Sequence, residues 1–268
     1  MGVTATGIHY DVVGDGEPLL LLAGQANSRH WWDPVRADFA ARHRTVALDA
    51  LGTGASAAPD GAEYGTRRFA ADAVAVLDAA GIDRAHVYGT SMGGKVAQWL
   101  VIDHPDRVGA LVLGCTTPGG SRALVAGRDV VGPLAGPTAA ARRALAELMV
   151  TPEWLERHPD GADAVLGDPT MTQAARRGHR IASARHDASA ALHRIDTPAL
   201  VLHGTEDAFC PAGNADLLVA GIAGAALRVF EGARHAYFLE HRAAASAAVL
   251  AHLAAHPVRT TDRAALPD

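Results

Sequence analysis

The chain has 268 residues, of which 49% are hydrophobic and 20% charged, and its formal net charge is −5 at neutral pH. This balance is typical of one globular domain with an insertion, and the mild acidity gives no indication of nucleic-acid binding. The sequence shows no secretory leader pattern or membrane-length apolar run, and its two cysteines, Cys115 and Cys210, make no disulfide framework, so we expect a cytoplasmic protein.

Short apolar runs alternate with helical patterns along the chain. Seven runs are interpreted as strands, at residues 8–13, 19–23, 45–50, 85–90, 108–115, 199–204 and 226–231. Several of them are unbroken apolar stretches, which is typical of parallel strands covered on both faces. The sequence therefore predicts a doubly wound, mostly parallel α/β sheet, with the first run pairing antiparallel at its edge.

Residues 118–195 interrupt this alternation, because they contain helical stretches at 139–150 and 172–192 but no strand pattern. We interpret them as a helical lid inserted between two parts of one core, 1–117 and 196–258, with a polar tail at 259–268. His179, His186 and His193 recur every seven residues in the lid. On one helix they would form a polar seam with a spacing of about 10 Å, too far apart to share a metal ion. We expect no metal and no cofactor.

The segment Gly89-Thr90-Ser91-Met92-Gly93 matches G-x-S-x-G, the pattern of a nucleophile elbow. It follows the predicted strand at 85–90 and begins a helical pattern. A serine on so sharp a turn needs small neighbours two positions away. The helix that follows offers free N–H groups to a developing negative charge. The pattern predicts Ser91 as a nucleophile.

Two nucleotide-binding patterns compete with this interpretation. Gly89, Gly94 and Lys95 satisfy most of a phosphate-binding P-loop, but Val96 stands where the Mg²⁺-binding Ser or Thr is needed. Residues 52–57 resemble a glycine-rich dinucleotide fingerprint, but Pro59 follows and prevents a helix from receiving a pyrophosphate. Both patterns lack a part that their chemistry requires.

A serine nucleophile needs a base and an acid that orients it, and the order Ser, acid, His is one of the known arrangements. Asp207 follows the strand at 199–204, and His235 follows the strand at 226–231. Both therefore lie at the carboxyl edge of the sheet, where α/β active sites form. Glu206 is the alternative acid.

Four motifs cover nearly the whole chain. They are Asp49-x-x-Gly52-x-Gly54-x-Ser56, Gly89-Thr-Ser91-Met-Gly93, His203-Gly-Thr-Glu-Asp207 with Pro211, and His235 with Glu240. Together they resemble the α/β-hydrolase superfamily, in particular its small esterases, lactone hydrolases, carbon–carbon bond hydrolases and haloperoxidase-like perhydrolases. The resemblance implies the α/β-hydrolase fold and an oxyanion hole formed by the backbone N–H groups of Met92 and Gln25.

The sequence departs from the family pattern at two positions. Ala23-Gly24 stands where the family usually has His-Gly, and Arg234 stands where Gly often precedes the catalytic His. We expect Arg234 to point into solvent, as exposed loop arginines commonly do. The candidate pocket residues are Trp31, Met149, Trp154, Phe209 and Tyr237.

These observations predict a serine hydrolase that cleaves a small carboxylic ester, lactone or thioester through an acyl-enzyme on Ser91. His235 is the expected base and Asp207 the expected orienting acid. The same triad also serves perhydrolysis, carbon–carbon bond hydrolysis, or a biosynthetic lyase or cyclase step. A receptor that merely binds a small molecule would not need an intact triad. We expect a small-molecule substrate, and neither nucleic acid nor membrane as a partner. The oligomeric state stays open.

Overall fold

The computed structural model describes residues 1–59, 61–134, 138–159 and 161–258, so the predicted polar tail at 259–268 lies outside the described residues. An eight-stranded sheet forms its centre, in the order β1-β2-β4-β3-β5-β6-β7-β8. The strands are β1 (Gly2–Val3), β2 (His9–Val13), β3 (Glu17–Leu22), β4 (His43–Leu48), β5 (Ala85–Thr90), β6 (Val108–Gly114), β7 (Ala199–Gly204) and β8 (Ala226–Phe230). Strand β2 pairs antiparallel with both β1 and β4, and the other neighbouring pairs are parallel.

The helices lie between the strands and on both faces of the sheet. They are α1 (Asp33–Ala40), α2 (Thr66–Ala79), α3 (Met92–Asp103), α4 (Arg128–Val131), α5 (Ala139–Met149), α6 (Pro152–Arg157), α7 (Gln173–Ala184), α8 (Gly213–Gly221), α9 (Tyr237–Glu240) and α10 (Arg242–Ala255). The described residues also form short 3₁₀ helices, which span Arg29–Trp32, Pro105–Arg107, Gly132–Leu134, Gly161–Val165 and Ser189–Arg194. No helix in the described ranges is both long enough and apolar enough to cross a lipid bilayer.

Two apolar cores lie on opposite faces of the sheet. In β3, Leu20 and Leu22 belong to the core under α2, α3 and α8, whereas Leu19 and Leu21 belong to the core under α1 and α10. Alternate residues of a strand point to opposite faces, so a strand covered on both sides is apolar without interruption. The structure confirms the predicted doubly wound α/β-hydrolase fold.

The chain between β6 and β7 folds into α4 to α7 and joins them with turns. Three of its helices begin at a threonine whose side chain accepts the N–H of the residue three positions later: Thr138 from Ala141, Thr151 from Trp154 and Thr172 from Ala175. These caps satisfy backbone donors that helix ends leave free. Thr138, Thr151 and Thr172 explain where the helices of this insertion start.

The structure differs from the sequence prediction in several elements, among them β4, which spans His43–Leu48 instead of the predicted 45–50. The strand predicted at 19–23 begins two residues earlier, at Glu17, and β1 was not predicted because it has two residues. The strand β8 lies at the end of the sheet, and its side chains Leu227 and Val229 are exposed. It is therefore an uncovered edge strand rather than a buried one.

The predicted helix at 172–192 and its histidine seam are wrong. The helix α7 ends at Ala184, and the chain then turns so that Asp187 pairs with Gly119. His179 and His186 are buried and His193 is exposed, so the three do not form one face. The seven-residue spacing predicts a common face for one continuous helix, and this segment is not continuous.

Candidate active site

Ser91 occupies the sharp turn between β5 and α3, with φ 54° and ψ −120°. Residues other than glycine seldom adopt positive φ, so this backbone is strained. A side chain on Gly89 would overlap the carbonyl of Gly93, and one on Gly93 would overlap the carbonyl of Leu22. The Ser91 N–H donates to the carbonyl of Gly114 at 2.9 Å. The turn therefore needs the two glycines of the motif, as predicted, and is fixed to β6.

The loop after β3 passes beside this serine. A Cβ atom on Gly24 would lie 3.4 Å from the Cβ of Ser91. Among the described residues, neither the N–H of Gln25 nor that of Met92 has a hydrogen-bond acceptor. The side-chain amide of Asn27 donates to the Gln25 carbonyl at 3.0 Å. The structure thus leaves free the two backbone donors that the resemblance implied, and it holds the loop without the histidine that Ala23 replaces.

His235 and Asp207 form a buried pair. Nδ1 of His235 lies 2.8 Å from Oδ2 of Asp207, and these residues are 1% and 3% exposed. Because a carboxylate can only accept, the proton is on Nδ1 and the lone pair of Nε2 is left free. The other oxygen, Oδ1, accepts the N–H of Cys210 at 2.7 Å. This tautomer is the one that a general base at Nε2 requires.

The pKa of Asp207 is lowered although the carboxyl is buried. Burial alone would raise the pKa, but the neighbouring His235 and His203 favour the charged form and outweigh it. Glu206 is exposed, and its N–H donates to the Ala233 carbonyl at 2.9 Å. The structure therefore brings Asp207, and not Glu206, to the imidazole of His235.

His203 is a second imidazole beside Asp207, and the sequence analysis named it only as part of a motif, without a role. Its Nε2 lies 3.2 Å from Oδ2 of Asp207 and 2.7 Å from the Cys210 carbonyl, which accepts its proton. His203 is fully buried at the end of β7, four residues before Asp207. A polar residue at the end of an otherwise apolar strand was the signal that could have found it.

Arg234 does not point into solvent, so that prediction is wrong. Its guanidinium donates to the Glu147 carbonyl near the end of α5, and its backbone N–H donates to Oε2 of Glu240 at 2.6 Å. Oε1 of Glu240 accepts the N–H of Thr151 at 2.7 Å. The backbone N–H of His235 donates to the Leu148 carbonyl, and that of Ala236 donates to the Met149 carbonyl. The His235 loop is therefore bonded to the insertion along several residues.

Four of the candidate pocket residues, Trp31, Met149, Trp154 and Tyr237, are buried in one apolar cluster. Trp31 donates to Oγ1 of Thr90 at 2.9 Å, directly before Ser91. Tyr237 has no exposed surface and bonds the hydroxyl of Tyr88 at 2.8 Å, so it lies in the core rather than in an open pocket. The fifth, Phe209, is half-buried and meets the His235 ring edge-on at 5.1 Å.

The residues that resembled nucleotide-binding motifs make other hydrogen bonds in the structure. Nζ of Lys95 donates to the carbonyl and the hydroxyl of Ser183 at 3.0 and 2.9 Å, and burial lowers its pKa. In the glycine-rich turn at 52–57, the N–H of Ala55 donates to Oδ2 of Asp49 at 2.9 Å. These groups are therefore not directed at a phosphate.

Comparison with known proteins identifies the family of this fold. A family model described as alpha/beta hydrolase fold matches residues 17–242. A protein of Azorhizobium caulinodans, provisionally named carbamate hydrolase RutD, is 30% identical over 86% of this chain and 88% of its own length. A protein of the same name from Variovorax paradoxus is matched over only 41% of its length. The 2-hydroxymuconate semialdehyde hydrolase of Pseudomonas sp. strain CF600 is 32% identical over 86% of this chain and 84% of that enzyme.

A solved structure resembles the whole fold. An esterase from Rhodococcus sp. ECU1013 superimposes with a TM-score of 0.82 and 28% identity, over 95% of this chain and 98% of the esterase. The family match extends over most of the chain, and two relatives at 30% and 32% identity cover more than four fifths of it. The chain belongs to the α/β-hydrolase family.

Proposed function

We propose that this chain is a serine hydrolase that cleaves a small carboxylic ester, lactone or thioester through an acyl-enzyme on Ser91. One observation carries the proposal: a serine with a strained backbone stands beside two free backbone donors, at the sheet edge that also holds a buried His–Asp pair. A strained backbone and buried ionised groups are costly, and they are typical of catalytic sites. The similarity of the whole fold to the Rhodococcus esterase also supports the proposal.

In the proposed reaction, Oγ of Ser91 attacks the substrate carbonyl carbon while Nε2 of His235 takes its proton. The N–H groups of Gln25 and Met92 stabilise the oxyanion, and each contributes about 10²–10³ in rate. The bond to the leaving group then breaks, and that group receives the proton from Nε2. Water, deprotonated by His235, attacks the acyl-enzyme, and the acid is released as the proton returns to Oγ. Asp207 keeps the imidazole in the required tautomer.

A second candidate is hydrolysis of a carbamate or of a carbon–carbon bond beside a carbonyl. It is favoured by the names of the two relatives that match over most of their length. Both reactions also begin with attack on a carbonyl, so the same residues serve them. A panel of acyl esters, lactones, aryl carbamates and vinylogous diketones, compared by kcat/KM, separates these candidates.

The nucleophile is tested with a fluorophosphonate probe and mass spectrometry of the labelled peptide. We expect the probe to label Ser91, and Ser91→Ala to abolish both labelling and turnover. Ser121→Ala is the control, since Ser121 is exposed and lies in the insertion. Labelling that persists in Ser91→Ala would show that another residue is the nucleophile.

We further propose that the insertion at 118–195 is a lid over this site and that the protein acts in the cytoplasm. The hydrogen bonds between α5 and the His235 loop support the proposal of a lid. A cavity of about 440 Å³ lies between the loop after β3 and the insertion and is lined in part by Asn27, Trp31 and Asp168, but Ser91 and His235 are not among its lining residues.

The proposed location rests on the cysteines. Both are free, which supports a reducing compartment.

A further inference from the structure

Three side chains of metal-ligating type meet at the amino-terminal edge of the sheet, opposite the candidate active site. Glu17 is the first residue of β3, His43 the first of β4, and His86 the second of β5. The strand β3 lies between the other two, and its Glu17 pairs with His43 while its Leu19 pairs with His86. Residues two apart share a face of a strand, so the fold places all three side chains on one face.

The distances are close to those of a metal centre. One ligand atom from each residue lies within 4.8 Å of the other two. Oε2 of Glu17 is 3.1 Å from Nε2 of His86. In a tetrahedral zinc site with metal–ligand distances of about 2.0–2.2 Å, two ligand atoms lie about 3.4 Å apart. Side-chain movements of about 1.4 Å or less would therefore bring the three ligand atoms to that spacing. The Glu17 side chain is 34% exposed, which lets it move and lets an ion enter.

The two imidazoles have unmet bonding capacity. His43 is 7% exposed and His86 is fully buried. Nδ1 of His43 has no hydrogen-bond partner among the described residues. In His86 the nitrogen that faces Glu17 is Nε2, whereas Nδ1, also without a partner there, lies towards Gly109. Buried polar atoms without partners are uncommon and cost free energy. The Glu17 carboxylate lies beside both rings and offers an anionic ligand atom next to them.

We propose that Glu17, His43 and His86 form a zinc site, with water in the fourth position. Two imidazoles and a carboxylate are ligands that zinc accepts in proteins. Arg42 and Arg84 lie near enough to lower the imidazole pKa values, and their charge also opposes a cation. We therefore expect the ion to bind less tightly than it would without these two charges. It would join three adjacent strands far from Ser91 and stabilise the fold, in contrast to the sequence expectation of no metal.

The test is calorimetric titration of the metal-free protein with ZnCl₂, together with the visible absorption of bound Co²⁺. We expect one bound ion and a tetrahedral Co²⁺ spectrum. Glu17→Gln and His43→Gln should bind zinc at least about tenfold more weakly. Zinc should raise the Tm of the wild type by mass action, and at the same zinc concentration it should raise that of Glu17→Gln less. The Co²⁺ spectrum of the wild type tests the site even if one variant folds poorly.

Two controls address other histidine sites. His30 forms an exposed pair with Asp33 at 2.7 Å, so His30→Gln removes the surface alternative. His235→Gln removes the imidazole of the candidate active site. Both controls should bind zinc as the wild type does. The proposal is overturned if the wild type binds no zinc, or if binding is lost in a control but kept in Glu17→Gln and His43→Gln.

Discussion

The backbone N–H of Ala26 donates at 3.3 Å to Nδ1 of His179, a residue 153 positions further along the chain. The Ala26 carbonyl accepts the N–H of Asp168 at 2.7 Å. Both polar groups of this peptide are thus held by the insertion. Ala26 has φ 59° and directly follows Gln25. The insertion therefore stabilises an unfavourable backbone conformation next to a proposed oxyanion donor.

Replacing His179 with Phe should slow the proposed reaction. Phe keeps the ring contacts with Tyr64 and Phe69 but leaves the Ala26 N–H and the Leu51 carbonyl without their partner. We expect kcat to fall about tenfold, part of the effect of losing an oxyanion donor, with little change in KM. The free energy of unfolding should fall by about 1–3 kcal/mol.

Steady-state kinetics and urea unfolding measure both effects of His179→Phe. The exposed His193 offers a matched control, since His193→Phe should leave kcat and stability unchanged. If His179→Phe lost stability but kept the wild-type kcat, the bond to Ala26 would have no role in catalysis.

Asp207→Asn should keep the fold but reduce turnover by about 10⁴, because the amide no longer selects the tautomer of His235 that a base needs. Circular dichroism checks the fold, and kcat on the best substrate of the panel checks the chemistry. Glu206→Gln is the matched control and should retain full activity, since Glu206 is exposed. The reverse result would identify Glu206 as the acid.

Glu240→Gln should loosen the insertion from the His235 loop. The two carboxylate oxygens accept the N–H groups of Thr151 and Arg234. An amide retains one acceptor and places a donor opposite the second N–H. We expect a loss of about 1–3 kcal/mol in the free energy of unfolding. Hydrogen exchange should increase at 147–151 and 234–236, and an unchanged rate there would contradict the proposed connection.

The insertion should limit the size of the acyl group. Across esters of increasing acyl length, kcat/KM should peak at short to medium chains and then fall steeply, because an enclosed pocket has a fixed volume. Met149 and Trp154 lie in the insertion and are buried, so Met149→Ala or Trp154→Ala should move the peak to longer chains. Equal rates on all chains, unaffected by either substitution, would mean that the insertion does not bound the pocket.

Stability should decrease in mild acid because of His186. Burial lowers its pKa from 6.5 to about 3, and the charge of Lys95 adds to the effect. The unfolded chain takes up the proton near 6.5 and the folded chain does not, so stability is full above that pH and falls between 6.5 and about 3. One proton corresponds to about 1.4 kcal/mol per pH unit. Urea midpoints of His186→Gln should depend less on pH, and those of His193→Gln should match the wild type.

Features confined to neighbouring residues could be predicted from the sequence. The strands follow from continuous apolar runs, and the turn at Ser91 follows from its two glycines. The bonds from Arg234 to Glu147 and from Ala26 to His179 could not be predicted, since their partners are 87 and 153 positions apart. Such contacts depend on how the insertion packs, and no local pattern encodes that packing. The catalytic roles themselves stay predictions.

Lys95 is the only lysine of the chain, and its amine is bound to Ser183 in the last turn of α7. Acylating reagents for amines need an uncharged, accessible nitrogen, and we expect Lys95 to offer it more readily when its bonds to Ser183 break. The rate of Lys95 acylation, read by mass spectrometry of its peptide, therefore reports local opening of the insertion. Without any engineered label, this chain carries a single chemical reporter of that motion.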